Sequence, residues 1–240
     1  MSELTRLQII VASLGIPVGA AMRLRGLDLA GIDLTGGVDL SLADFSLSNL
    51  TDARLSLANL AGGRFHKTDL RLAHLEQADL QGATFTGAIM AKANLKYANL
   101  RKADLRGADL SKADLTKADL TDARLQGANL RGAFLSDSNL ERADLTDADL
   151  TGADLRRTIL IDGNLQGAKL VGACLAGAHL IDAVLTGAVL TAANLKEADL
   201  SRAVFLNADL TGANLDGADL TGTDLSRTIL KNTQWDQPTE

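Results

Sequence analysis

The strongest constraint in this sequence is an apolar residue at every fifth position, without interruption, from Leu40 to Trp235. The centre of each five-residue unit is Leu in 34 of the 40 units, and Phe, Met or Trp in the others. The residue two positions earlier is small, most often Ala, and the residue between the two is Asp or Asn in 24 units. Three earlier centres keep this spacing, Leu24, Leu29 and Leu34, before one extra residue at Gly36-Gly37 shifts the frame.

A period of five excludes an amphipathic helix. Five residues turn an α-helix by about 500°, so successive leucines would spiral around it instead of forming one stripe. Extended backbone explains the pattern, because the centre and the small residue two positions earlier point to one side and the residue between them points to the other. The two remaining positions are mostly polar or Gly, which suits a turn. Ala is favoured at the inward position because a larger residue would overpack a narrow tube.

Units such as Ala103-Asp104-Leu105-Arg106-Gly107 resemble the A-(D/N)-L-x-x consensus of the pentapeptide repeat family, and the resemblance covers residues 22–235. It implies an all-β solenoid, a right-handed quadrilateral parallel β-helix of about 11 coils with four units per coil. Residues 20 apart would then be stacked neighbours. The inward phenylalanines support this coil, since they differ by multiples of 20: Phe45, Phe65, Phe85 and Phe205.

We number the four expected faces by their centres. Face 1 carries Leu40 and every twentieth residue after it, face 2 carries Phe45, face 3 carries Leu50 and face 4 carries Leu55. The turn after each centre forms the corner to the next face.

Three segments are expected along the chain. Residues 1–21 form an N-terminal capping segment with a short helix from Ser2 to about Leu14, because Ser is a good N-cap and Gly15 a good stop. Residues 22–235 form the β-helix, and residues 236–240 form a tail. The apolar run from Leu7 to Met22 is too short and too broken for a membrane span. We expect a cytoplasmic protein, although a signal peptide remains the alternative interpretation of residues 1–21.

The sequence offers little for chemistry. It has three His and one Cys, which lack the spacing of a metal site or a disulfide framework. The aspartates follow from the repeat, and no glycine loop precedes a helix as a phosphate cradle would. We therefore expect no catalytic residues, no metal, no cofactor and no enzymatic activity.

Charge is concentrated on one face. The chain has a formal net charge of −6, and the outward positions of face 1 and its following corner hold nine acids against four bases. This candidate acidic face comprises Asp39, Asp79, Asp119, Asp122, Glu141, Asp162, Asp182, Asp199 and Asp219. The family resemblance implies one use, because some pentapeptide repeat proteins imitate DNA toward DNA gyrase and topoisomerase IV and protect them from quinolones or toxins. The competing interpretation is that Asp and Asn cap turns and keep the rod soluble.

A second surface is apolar. Between residues 159 and 206 many outward positions lose polarity, which often marks an interface. This candidate apolar interface comprises Ile159, Ile161, Val171, Ile181, Val184, Val189, Val204 and Leu206. We favour a scaffold that binds a protein partner through its surface, with a homodimer as one form of such binding and a type II topoisomerase as the alternative partner. Direct binding of nucleic acid is not expected from an acidic chain in which Lys92, Lys96, Lys102, Lys112 and Lys117 are spread over three faces.

Overall fold

The backbone winds into a four-sided parallel β-helix in the computed structural model, which describes residues 21–235. Parallel bridges pair Asp39 with Asn59 and Asn59 with Asp79, and the same spacing continues to the pair of Asn214 with Gln234. The predicted coil of four units is therefore confirmed. These residues contain no helix. The helix predicted from Ser2 to Leu14 and the tail at 236–240 lie outside the described residues.

Each strand consists of a single bridged residue. One residue of each unit is bridged to the neighbouring coils, namely residues 23, 28 and 33 and then every fifth residue from 39 to 234. Three hydrogen bonds per unit join successive coils, one of them from the second turn residue, as when the Lys102 N–H donates to the Thr121 carbonyl at 2.9 Å. The Leu100 N–H donates to the Asp119 carbonyl at 2.7 Å, and the Asp119 N–H donates to the Ala98 carbonyl at 3.0 Å. Because every unit repeats this pattern, each coil satisfies the backbone of the next.

Each corner is a tight turn that opposes the usual backbone preference. The Ala103 N–H donates to the Leu100 carbonyl at 3.0 Å, and the second turn residue, Lys102, has φ of 58°. A positive φ at this place marks a type II turn, which favours Gly. Twenty-four non-glycine residues nevertheless adopt it, none of them β-branched. Between residues 42 and 232, Arg227 is the one second turn residue without a positive φ.

The shift of frame at Gly36-Gly37 is a local bulge. Both glycines have positive φ, 95° and 77°, which other residues adopt only with strain. Asp33 is bridged to Arg54, whereas Asp39, just after the glycines, is bridged to Asn59. The coil that contains the glycines is therefore one residue longer than the regular coil, and the extra residue is absorbed in one corner.

The core is a column of stacked side chains on each face. Every centre from Leu40 to Leu215 is at most 2% exposed, and the inward alanines between them are equally buried. The rings of Phe45 and Phe65 stack at 5.2 Å, and those of Phe65 and Phe85 at 4.7 Å, both 9° from parallel. Where Thr replaces Ala its hydroxyl is satisfied, as when Thr68 donates to the Phe45 carbonyl at 2.8 Å.

The last turns of the rod are less enclosed than its middle. Leu220, Leu225, Leu230 and Trp235 are partly buried and pack against the core. At the other end, Leu27 and Ile32 also pack partly buried against it, and Met22 is 7% exposed. The larger inward residues at the two ends are therefore part of the core.

Candidate functional site

The nine residues of the candidate acidic face lie on face 1 or on the corner between faces 1 and 2. Asp39, Asp79, Asp119, Asp199 and Asp219 are bridged positions of face 1, with Asn99 between Asp79 and Asp119. Glu141 is a first turn residue, and Asp122, Asp162 and Asp182 are second turn residues with positive φ. The fold thus brings these acids to one side of the rod.

Three arginines form ion pairs with four of these acids. Asp119 meets Arg101 at 3.1 Å, and Asp182 meets Arg202 at 2.6 Å. Arg142 pairs with Asp122 at 2.8 Å and also with Glu141. The hydrogen bond from Arg142 lowers the pKa of Asp122, and the hydrogen bond from Arg202 does the same for the pKa of Asp182. The potential of the acidic face is therefore weaker than a count of its residues suggests.

Four of the other five acids cap turns. One carboxylate oxygen accepts the backbone N–H two residues further on, as in Asp199 with Ser201 at 3.0 Å and Asp219 with Thr221 at 2.9 Å. Asp39 and Asp79 do the same, and the amides of Asn59 and Asn99 bind those carboxylates from the next coil. Asp162 alone of the nine has a carboxylate without a hydrogen bond or ion pair to residues 21–235. Structural roles thus explain most of this face.

Charged ladders run along the two corners that border face 1. Asp122–Arg142 and Asp182–Arg202 lie on the corner between faces 1 and 2, and the members of each pair come from successive coils. Asp137–Arg157, at 2.7 Å, lies on the corner between faces 4 and 1. On that corner the Lys117 ammonium also lies 5.6 Å from the Tyr97 ring. Sequence reasoning by faces missed these ladders, although opposite charges one coil apart at second turn positions are their signal.

The candidate apolar interface divides into two groups. Ile159, Ile161 and Ile181 lie half-buried on face 1. Val184, Val204 and Leu206 lie on face 2, and Val171 and Val189 lie on face 3. The charged corner with Asp162, Asp182 and Arg202 separates the isoleucines from face 2. The second turn residues between faces 2 and 3 at these levels are Gly167, Gly187 and Asn207. The three residues on face 2 and the two on face 3 therefore lie on adjacent faces, apart from the isoleucines.

Val204 and Leu206 border a cleft of about 150 Å³ between the last two coils. Its walls include Arg202, Asp224 and Arg227. The ladder is irregular here, because the Asn207 N–H donates to the Arg227 carbonyl at 3.1 Å, one residue beyond its regular partner. Arg227 is also the second turn residue that lacks a positive φ. The altered turn therefore coincides with an opening beside the apolar residues.

Sequence reasoning also missed four exposed leucines near the start of the rod. Leu42, Leu47, Leu57 and Leu72 are 43–55% exposed and all have φ near +60°. They occupy four different corners and so form no single patch. Their signal was Leu at the second turn position, where the sequence otherwise places mostly Gly or polar residues.

His and Cys side chains form no metal centre in the described part of the chain, where no group of three or more potential ligands is close enough to hold an ion. His74 lies 3.4 Å from Asp52 and 3.7 Å from Glu76. Cys174 is half-buried, and the Asn194 side-chain amide approaches its sulfur at 3.8 Å. Among residues 21–235 there is also no helix with the length and hydropathy that crossing a membrane requires.

The repeat and the coil agree with one known family. The family model described as pentapeptide repeats matches the sequence in eight copies between residues 39 and 232. The chain belongs to the pentapeptide repeat family. Members of this family form right-handed quadrilateral β-helices, which is the architecture predicted from the sequence. This pentapeptide repeat protein is therefore a scaffold-type solenoid, and its coil conforms to its family.

Three solved structures show what this pentapeptide repeat protein resembles. HetL, involved in heterocyst differentiation regulation in the cyanobacterium Nostoc sp. strain PCC 7120, is 33% identical; the match covers 98% of this chain and 95% of HetL, with a TM-score of 0.42. A protein of the Arabidopsis thaliana thylakoid lumen is 36% identical over 53% of this chain and 71% of its own, with a TM-score of 0.33. QnrB1, a plasmid-mediated fluoroquinolone resistance protein, is 18% identical over 91% and 94%, with a TM-score of 0.49. No curated protein matches the sequence.

Proposed function

We propose that this chain is a non-enzymatic scaffold that binds a protein partner through an apolar patch on face 2, formed by Val184, Val204 and Leu206. The observation that carries the proposal is the contact of this patch with the cleft between the last two coils. The proposal places the protein in the cytoplasm, where its single free cysteine stays reduced.

The patch has the composition of a binding surface. Val184 and Val204 are bridged across successive coils, so their side chains are vertical neighbours. Val204 is 44% exposed and Leu206 is 39% exposed. Apolar side chains grouped in this way gain free energy when a partner removes them from water, at about 25 cal/mol per Å². Interfaces concentrate their binding energy in such groups beside a pocket that receives a partner side chain.

The cleft adds polarity to the same surface. Arg202 is already held by Asp182, while Arg227 makes no ion pair within residues 21–235 and lies beside Asp224. A partner segment with an apolar side chain next to a carboxylate would complement the patch and Arg227 together. We therefore expect an acidic-apolar protein segment as the partner.

Affinity capture tests this function. Immobilised wild-type protein and the variant Val204→Glu/Leu206→Glu are incubated with lysate of the source organism, and retained proteins are quantified by mass spectrometry. Ile89→Glu is the matched control, because Ile89 is an exposed bridged residue like Val204 but lies on face 3. We expect a protein that wild type and Ile89→Glu retain and the double variant loses. Equal retention by all three would refute the patch.

A DNA-mimicking binder of DNA gyrase or topoisomerase IV is the second candidate. Its support is the single vertical contact of two acids on face 1, Asp199 with Asp219, with the unpaired carboxylate of Asp162 nearby on the corner. Its weakness is the neutralisation of Asp119, Asp122 and Asp182 described above.

A supercoiling assay with purified DNA gyrase separates the candidates. Absence of inhibition and of quinolone protection at micromolar protein would eliminate DNA mimicry. If inhibition appears, reversal of Asp162 and Asp199 to Lys should weaken it more than reversal of Asp104, which is paired with Arg106 at 2.6 Å. Equal effects would show that face 1 has no special role.

A further inference from the structure

The corners on the two sides of face 3 are unusually smooth in the second half of the rod. The second turn residues between faces 3 and 4 are Gly152, Gly172, Ala192 and Gly212, and those between faces 2 and 3 are Gly167 and Gly187, with Asp147 before them and Asn207 after them. The corners that border face 1 carry charged ladders instead. At the levels of Lys169 and Val189, no second turn residue beside face 3 has a side chain longer than a methyl group, and Asn207 lies beside Asp209.

Crowding does not impose this smoothness except at Gly167, where an added Cβ atom would clash with the Asp147 carboxylate. A Cβ atom added at Gly152, Gly172, Gly187 or Gly212 would meet no atom within 4 Å. Lys112 occupies the corner between faces 3 and 4 with φ of 56°, so the turn itself accepts a long side chain. The glycines thus leave room that the protein does not use, and a flat surface can approach face 3 closely.

Two columns of side chains, short except for Lys169, cover face 3 between these corners. The bridged column contains Lys169, Val189 and Asp209 in successive coils. The first turn residues beside them are Val171, Thr191 and Thr211. Val171 is 38% exposed, and the other members of its column are half-buried. Apart from one lysine and one aspartate, this surface is uncharged.

Those two charges have no ion partner within residues 21–235. Lys169 lies one coil before Val189, and Asp209 lies one coil after it. Two coils separate them by about 9.6 Å, which is too far for an ion pair. The Asp209 carboxylate accepts the Thr211 N–H at 2.9 Å. Hydrogen bonds from Thr211 lower the pKa of Asp209, so that it is ionised at neutral pH. Val189 is thus flanked by opposite charges at equal spacing.

We infer that face 3 binds a second copy of this chain in an antiparallel arrangement, with a two-fold axis that lies perpendicular to the rods at the level of Val189. Rotation about this axis makes the two rods antiparallel. It places each column of one copy opposite the same column of the other copy. Lys169 of each copy then faces Asp209 of the other, and Val189 faces Val189. Because the interface is isologous, the contact of Lys169 with Asp209 occurs twice and gives two ion pairs.

The size of this surface sets the strength of the association. Three coils at about 4.8 Å, with a width of about 20 Å for the face and its corners, give about 290 Å² per copy. Stable complexes bury about 800 Å² per partner, so this dimer is a weak one that forms at tens to hundreds of micromolar protein. This inference concerns face 3 and is independent of the partner proposed for face 2.

Charge reversal provides the test, with sedimentation equilibrium at about 10–500 μM protein and low salt, where ion pairs are least screened. Wild type is expected to dimerise. Lys169→Asp and Asp209→Lys should each weaken dimerisation about tenfold or more, because each places two like-charged pairs in the interface. The double variant Lys169→Asp/Asp209→Lys should recover wild-type association. Asp109→Lys is the control for the lost turn cap, because Asp109 lies in the same column and accepts the Ser111 N–H at 3.0 Å.

A steric variant gives a second, independent measurement. Gly172→Lys should prevent dimerisation, whereas Gly82→Lys, at an open corner between faces 1 and 2, should not. Val204→Glu/Leu206→Glu should leave dimerisation unchanged. A failure of the partner proposal for face 2 can therefore be distinguished from a failure of the dimer proposal for face 3. A wild type that stays monomeric at the highest concentration, single reversals without effect, or a double variant without recovery would each overturn the antiparallel dimer.

Discussion

The stacked phenylalanines allow the coil to be tested by energetic coupling between residues of successive coils. Phe65 lies between Phe45 at 5.2 Å and Phe85 at 4.7 Å, with all three rings buried. Leu occupies this place in most units, so Phe→Leu keeps the core apolar and removes mainly the ring contacts. An aromatic pair contributes about 0.5–1.5 kcal/mol beyond its buried area. Phe65→Leu should therefore lose about 1–3 kcal/mol from two ring pairs, and Phe45→Leu about half of that.

A double-mutant cycle isolates the contact. The free energy of unfolding is measured in guanidinium chloride by circular dichroism for Phe45→Leu, Phe65→Leu and the double variant. We expect a coupling energy of about 0.5–1.5 kcal/mol. The control cycle joins Phe45 and Phe205, which lie on the same face eight coils apart, and should give less than about 0.5 kcal/mol. No coupling between Phe45 and Phe65, or equal coupling in both cycles, would refute the stacking.

Three further predictions concern the repeat itself. Ala192 has φ of 57°, so Ala192→Gly should raise the free energy of unfolding by about 0.5–1 kcal/mol, measured by denaturation, and a loss of stability would contradict the turn assigned here. Ala128 is 1% exposed, so Ala128→Leu should lower the free energy of unfolding by about 1–3 kcal/mol or more, and a neutral effect would show spare space in the tube. Hydrogen bonds from Arg71, Arg106 and Arg156 hold the pKa of Asp69, Asp104 and Asp154 below 3.8. Their contribution to stability is complete above that value and is lost as pH falls through the lower folded-state pKa, so thermal melting should be level from about pH 7 to 5 and decline below about pH 4, and stability that rises on acidification would contradict the pairing.

The fold was predictable because the repeat specifies it at each position. Inward centres such as Phe65, small residues such as Ala128 and turn residues such as Gly107 each fit one place in the unit, and the recurrence of Phe at multiples of a full coil indicated the register. The frame shift at Gly36-Gly37 was readable for the same reason, since it interrupts an otherwise strict period.

The surface was less predictable, because a count of charges does not say which charges pair. Asp122 and Asp182 counted toward an acidic face, yet Arg142 and Arg202 neutralise them from the next coil. Likewise, Ile181 and Val184 are near in sequence but lie on either side of the corner that carries Asp182. The cleft beside Val204 coincides with the altered turn at Arg227, which no residue pattern indicates.

Disulfide formation from the native cysteine measures the coil directly. Cys174 is bridged to Asn194, whose side-chain nitrogen lies 3.8 Å from the sulfur, so Asn194→Cys places two thiols within reach of a disulfide. Under mild oxidation of monomeric protein, thiol titration should fall from two groups to none for Asn194→Cys. It should stay at two for Val189→Cys and for Asp199→Cys, which lie one unit before and one unit after Asn194. Rapid disulfide formation in either of those variants, with none in Asn194→Cys, would mean a coil of three or five units and would contradict every surface described above.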